Sequence, residues 1–154
     1  MEHEVIFDHQ RQVVLKVTLP GMHGNTLRFR GGTVGLGPAT PLEYLDRWAL
    51  SNELFEDEAS VLGLVQNKAG VRLAVAQPLV VGQRPEREEI SGFMNKLGFA
   101  RVRDTNLFFD FNRDLLVGDA HPGNFLRNED GQIFAIDVLP VKATGSLLSY
   151  ALGF

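Results

Sequence analysis

The chain has 154 residues, with 15 Lys+Arg against 19 Asp+Glu for a net charge of -4, and 44% of it is hydrophobic, enough for one domain with a real core. That charge balance excludes a general nucleic-acid or anionic-membrane binder, and the absence of cysteine excludes disulfides, thiol nucleophiles and cysteine-ligated metals. No segment approaches the roughly 20 apolar residues that span a bilayer, and the start MEHEVIFDHQRQ lacks a secretion-signal pattern. The expectation is therefore a cytoplasmic protein whose partners include neither nucleic acid nor membrane.

Residues 4–7 and 12–18 are rich in β-branched and aromatic types and flank the polar turn DHQR, which predicts a β-hairpin. Residues 19–41 hold six glycines and three prolines, so a long loop is expected there, with a short strand near Leu27 to Phe29. Thr40, Pro41 and Glu43 form a capping-box pattern that starts a helix over 41–55, with an apolar stripe of Leu42, Leu45 and Ala49 and Trp48 beside it. Ser60 to Val65 and Gly70 to Ala76 read as a second hairpin, the latter strand ending at Pro78. Ile90, Phe93, Met94 and Leu97 recur at helical spacing within 85–97, and Gly98 follows as a stop signal. From Asn106 onward the pattern is short apolar runs between turns, including Asn128 to Gly131, and the tail KATGSLLSYALGF is weakly patterned.

The informative stretch is LLVGDAHPGNFLRNEDGQIFAIDVL, residues 115–139, where Asp119, Asn124 and Asp137 stand at the ends of apolar runs. Strand ends hold side chains firmly while leaving them open to solvent. A hard cation such as Mg²⁺ takes carboxylate and amide oxygens together with substrate phosphates. One carboxylate to orient a hydroxyl, with an amide and a second carboxylate for metal, is the set phosphoryl transfer needs.

DAHPGN resembles the D-x-x-x-x-N catalytic loop of the protein-kinase-like superfamily, in wording closest to aminoglycoside phosphotransferases, and AIDV thirteen residues after Asn124 resembles its metal-binding Asp segment. The wording from EHEVIF through TPLEYL and VAQPLVVG to GDAHPGN is similar to kinase domains of polyvalent proteins of phages and mobile elements. The resemblance implies Asp119 as catalytic base, Asn124 and Asp137 as Mg²⁺ ligands, and His121 as a supporting loop residue. It further implies Lys16 of VVLKV for the ATP phosphates, Glu43 (or, second, Glu53) as its partner, and Gln77 and Leu79 at an adenine-binding hinge.

The implied fold is α+β and protein-kinase-like. It is a minimal two-lobed domain: an antiparallel N-terminal sheet with one packed helix (1–76), a hinge (77–84) and a reduced C-terminal lobe (85–154). The implied function is ATP-dependent phosphotransfer to an unknown hydroxyl-bearing substrate, protein or small molecule, with ATP and Mg²⁺. The alternative is a catalytically inactive pseudokinase or binding module.

Fifteen residues precede Lys16 and seventeen follow Asp137, so the phosphate-covering glycine loop is expected to be missing and the helical lobe curtailed, as in a minimal version or a fragment. GGTVGLG at 31–37 falls after Lys16 and reads as a flexible loop. Each site residue also has a plain structural explanation: a β-turn for 119–124, an exposed strand lysine for Lys16, the capping box for Glu43. A metal-dependent hydrolase on Asp119, His121 and Asp137 ranks last, for want of a second histidine ligand nearby. His3, His9 and His23 have no zinc-site spacing.

Overall fold

A computed structural model describes residues 1–154. The elements in chain order are β1 (His3–Asp8), β2 (Val13–Thr18), β3 (Asn25–Arg30), β4 (Thr33–Pro38), α1 (Pro41–Phe55), β5 (Ser60–Asn67), β6 (Gly70–Pro78), α2 (Arg87–Lys96), β7 (Ala100–Arg101), β8 (Phe108–Asp110), β9 (Leu115–Gly118), a 3-10 turn (Pro122–Asn124), β10 (Phe125–Arg127), β11 (Ile133–Ala135), β12 (Leu139–Lys142) and α3 (Gly145–Leu152). The fold is α+β with antiparallel sheets and three helices. No helix is long and apolar enough to cross a membrane. The chain forms two compact units, one of residues 1–26 and 37–79, the other of residues 27–36 and 80–154.

The first unit is a four-stranded sheet in the order β1-β2-β6-β5, with both predicted hairpins in place, and the helix α1. That helix starts where the sequence places it. The Thr40 hydroxyl accepts the Glu43 N–H at 3.2 Å and the Glu43 carboxylate accepts the Thr40 N–H at 3.0 Å, which satisfies donors that have no partner within the helix.

Its buried face differs from the predicted stripe: Leu42 and Leu45 are exposed, and Tyr44, Arg47, Trp48, Ser51 and Leu54 are buried. Apolar periodicity misses this face because it contains a charge. The Arg47 guanidinium, 2% exposed, stacks between the Tyr44 and Trp48 rings at 6.0 and 5.0 Å and is hydrogen-bonded to Glu2. Tyr44 and Trp48 cluster with Ala39, Leu73 and Val75, and the Thr18 hydroxyl accepts the Leu73 N–H at 2.9 Å.

The second unit is built on the sheet β12-β9-β8-β7, with β10-β11 as a separate hairpin. Its core gathers Val102, Leu107, Phe109, Leu116, Leu139 and Leu27. Leu27 lies in the short strand expected near Leu27 to Phe29, inside a segment otherwise expected to be a loop. Residues 25–38 are instead the hairpin β3-β4, and GGTVGLG supplies its turn and second strand. Gly31 and Gly32, at φ of 60° and 82°, make the two-residue turn, a conformation glycine adopts without steric cost.

The second unit departs from expectation at the tail as well. Residues 145–152 form α3, closed by Gly153 in the left-handed region at φ 89°, and Leu147, Leu148 and Tyr150 pack against the core. At the end of β8, burial pushes the Asp110 carboxyl up. The Arg113 guanidinium at 2.5 Å and the N–H groups of Asn112 and Arg113 outweigh it and hold the group below the usual carboxylate range.

Candidate active site

Strand β9 is buried at all four positions and delivers the chain to Asp119. Gly118 is required there by close approach. A Cβ on it would fall 2.3 Å from Cδ2 of Leu27, so the hairpin β3-β4 rests directly on the residue before Asp119. Asp119 itself has φ 54°, a left-handed conformation that Asp tolerates better than most residues, and the following Ala120 N–H donates to the Asn106 carbonyl at 3.0 Å. The backbone thus reverses sharply at Asp119 and is pinned immediately after it.

The next five residues close a small hydrogen-bonded ring. His121 caps the 3-10 turn, its Nδ1 accepting the Gly123 N–H at 3.0 Å, and Pro122 supplies the pre-set φ of the first turn position. The His121 Nε2 lies 3.4 Å from Asp119 Oδ1 and 3.2 Å from Asn124 Nδ2. Asn124 is buried, and its Nδ2 donates to the Asp119 carbonyl at 2.7 Å and to Asp119 Oδ2 at 3.0 Å. Both oxygens of the Asp119 carboxylate therefore face fixed partners in this loop, while the side chain remains about one-third exposed.

Asp137 reaches the same neighbourhood through the β10-β11 hairpin. Phe125 pairs with Ala135, and one step further back the Ile136 N–H donates to the Asn124 carbonyl at 2.9 Å, which places Asp137 next along the chain from a residue bonded to Asn124. The buried Phe125, edge-on to Phe93 at 6.1 Å, anchors the hairpin. Arg127 braces it to α2, its Nη1 donating to both Glu89 carboxylate oxygens at 2.7 and 2.6 Å. The Glu86 N–H, then Arg127, hold the Glu89 carboxyl below the usual range.

Asp119, Asn124 and Asp137 lie in the second unit, and Lys16, Glu43, Gln77 and Leu79 lie in the first. Lys16 is buried in β2 with its ammonium 5.2 Å over the Trp48 ring of α1. That placement corrects the plain reading of an exposed strand lysine. Glu43 carries the capping box described above. Gln77 is buried in β6, paired with Val14, and the Leu79 N–H donates to the Gln12 carbonyl at 2.8 Å.

One feature of the second unit was not foreseen. A cavity of about 190 Å³ opens beside Asp119, lined among others by Thr33, Leu36, Asn106 and Tyr150. Nothing in residues 31–37 or in the tail signals it locally, because it depends on where the hairpin and α3 dock.

The fold class and this loop define a kinase-like protein. The chain belongs to the family described as Serine/Threonine/Tyrosine Kinase found in polyvalent proteins, which it matches over residues 36–141, more than half of its length. The matched span contains Glu43, Gln77, Leu79, Asp119, Asn124 and Asp137, and leaves out Lys16 and the cavity residues Thr33 and Tyr150. No curated protein matches the chain significantly, and no solved structure does.

Proposed function

We propose that the chain is an ATP-dependent phosphotransferase that moves the γ-phosphoryl of MgATP to a hydroxyl acceptor, with residues 1–76 (apart from 27–36, which belong to the second unit), 77–84 and 85–154 as N-lobe, hinge and reduced C-lobe. The observation that carries the reading is the Asp119–Asn124 lock. One buried amide holds the carboxylate through its Nδ2, so its Oδ1 is turned to the other side. Asp119 accepts the acceptor's hydroxyl proton, a role worth roughly 10²–10⁴-fold in rate. The ring formed by His121 and Asn124 keeps that carboxylate in one orientation before the acceptor arrives, which lowers the ordering cost of the reaction.

Asn124 Oδ1 and the Asp137 carboxylate are hard oxygen donors of the kind Mg²⁺ takes. An ion held by them would neutralise charge on the transferring phosphates. Lys16 is assigned to the α- and β-phosphates with Glu43 as its partner. Gln77 and the Leu79 carbonyl are assigned to adenine. A second reading, a catalytically inactive pseudokinase or binding module, is favoured by the Leu79 N–H, which is already donated to Gln12 and so is not open to adenine.

Thermal unfolding with and without MgATP tests the site. Ligand at about 100 times its Kd adds roughly 2.7 kcal/mol, and each kcal/mol moves the Tm of a chain this size by about 2–4 °C. We expect a rise of roughly 5–10 °C that Asp137→Ala abolishes. Asp119→Asn is expected to keep the rise and lose phosphoryl transfer. No rise at millimolar MgATP would overturn the phosphotransferase and leave a protein-binding module, and a rise without turnover in the wild type would select a nucleotide-binding pseudokinase.

A further inference from the structure

We propose that Thr33, at the tip of the β3-β4 hairpin, is a cis-autophosphorylation site served by Asp119 of the same chain. The inference rests on the phosphotransferase reading above and adds its acceptor. Three observations lead to it.

The hairpin is a fixture of the second unit. Leu27 is 2% exposed among Val102, Leu107, Leu116 and Leu139, and Val34 packs against the same core from the other strand. Leu27 also fills the space that a Cβ on Gly118 would need, so the hairpin is seated one residue from Asp119.

Thr33 follows the Gly31-Gly32 turn directly, is exposed, and lines the same cavity as Asp119. At about 190 Å³ that cavity lies well below the roughly 300 Å³ at which small-molecule sites begin. It suits one side chain rather than a free metabolite. An acceptor held on the same chain also needs no bimolecular encounter, which raises its effective concentration.

The other hydroxyl-bearing residues around the cavity are held by contacts of their own, Thr105 through its hydroxyl and Tyr150 through its ring. Thr105 Oγ1 donates to the Val102 carbonyl at 2.5 Å and accepts the Leu107 N–H at 3.1 Å. The Tyr150 ring is held against Phe29 at 6.1 Å and under the Arg103 guanidinium at 4.5 Å. Thr33 follows two glycines and is exposed at the cavity wall.

In the transfer, Thr33 Oγ bonds to the γ-phosphorus of ATP as the bond from that phosphorus to the β–γ bridging oxygen breaks. The hydroxyl proton passes to the Asp119 carboxylate and then to solvent. The products are phosphothreonine, ADP and one proton. The new dianion stands beside Asp119, and like-charge repulsion limits the reaction to one phosphoryl per chain.

The test is incubation of the full chain with MgATP, read by intact mass, by mapping of the modified residue, by ADP release and by the MgATP-dependent Tm shift. Expected are one phosphoryl on Thr33, a rate per chain independent of protein concentration, retention in Thr33→Ser, and loss in Thr33→Val at unchanged Tm. ADP release with Thr33 unmodified, phosphate on Tyr150 or Thr105, or a rate that rises with concentration would overturn the assignment and leave phosphotransfer standing. Neither ADP release nor a Tm shift would overturn both.

Discussion

Strand β9 of the second unit is buried at all four positions, whereas β5 of the first is exposed at seven of its eight, including Val61, Leu62, Leu64 and Val65. Both strands belong to four-stranded antiparallel sheets. The difference lies in what covers them. β9 runs between β12 and β8 in a sheet whose core draws side chains from β3, β8, β9, β12 and α3, and β5 is an edge strand with one neighbour. A strand buried on both faces ends at a defined place, and Asp119 is the residue at that end. An exposed edge strand defines nothing beyond itself and tolerates change.

The widest gap between the two should appear on truncating a leucine in each. Leu116→Ala removes a side chain with no exposure from the second core, and a loss of about 2–5 kcal/mol is expected. Leu64, 68% exposed, should cost no more than about 0.5 kcal/mol when changed to Ala. Chemical denaturation midpoints read both, and comparable losses would mean that β5 is covered in solution.

A sharper test compares two glycines within the second unit. Gly118→Ala drives a Cβ into Leu27, and because Leu27 is locked in the core the overpacking should cost about 1–3 kcal/mol. Because the strain falls one residue from Asp119, phosphoryl transfer should fall by more than the change in folded fraction explains. Gly92 lies within α2, is exposed, and its Cβ would meet nothing within 4 Å, so Gly92→Ala should stabilise by about 0.4–1 kcal/mol. A neutral Gly118→Ala would show that the hairpin yields rather than rests on the strand.

What could be read beforehand divides along the same line between local and long-range causes. The capping box at Thr40 and Glu43, both hairpins of the first sheet, the turn after Arg127 and the Asp119–Asn124 spacing each depend on residues a few positions apart, and each is where the sequence puts it. Of the β3-β4 hairpin the strand near Leu27 to Phe29 was legible, and β4 was hidden because its glycines and prolines resemble a loop. The hairpin's placement comes from Leu27 docking on Gly118, across 91 positions of sequence. The inward face of α1 was hidden because Arg47, a charge, sits at its centre and depends on Glu2 and two rings. The tail helix α3 takes its burial from the core of β8 and β9. The cavity at Asp119 inherits both hidden pieces, since Thr33 and Tyr150 each come from one of them.

The smallest predicted change separates two roles of one residue. Glu43 closes the capping box, and Gln satisfies the same position, so Glu43→Gln should keep the cap and lose a favourable charge at the helix N-terminus, about 0.3–1 kcal/mol. Thr40→Ala, which removes the reciprocal acceptor, should cost about 1 kcal/mol. If Glu43 also positions Lys16, the two substitutions part company in turnover. Glu43→Gln should lower phosphoryl transfer at least tenfold, about 1.4 kcal/mol of barrier, and Thr40→Ala should leave it within a factor of about two once corrected for folding. Equal turnover in the two variants, measured at saturating MgATP, would remove Glu43 from the positioning role and leave it in the helix cap.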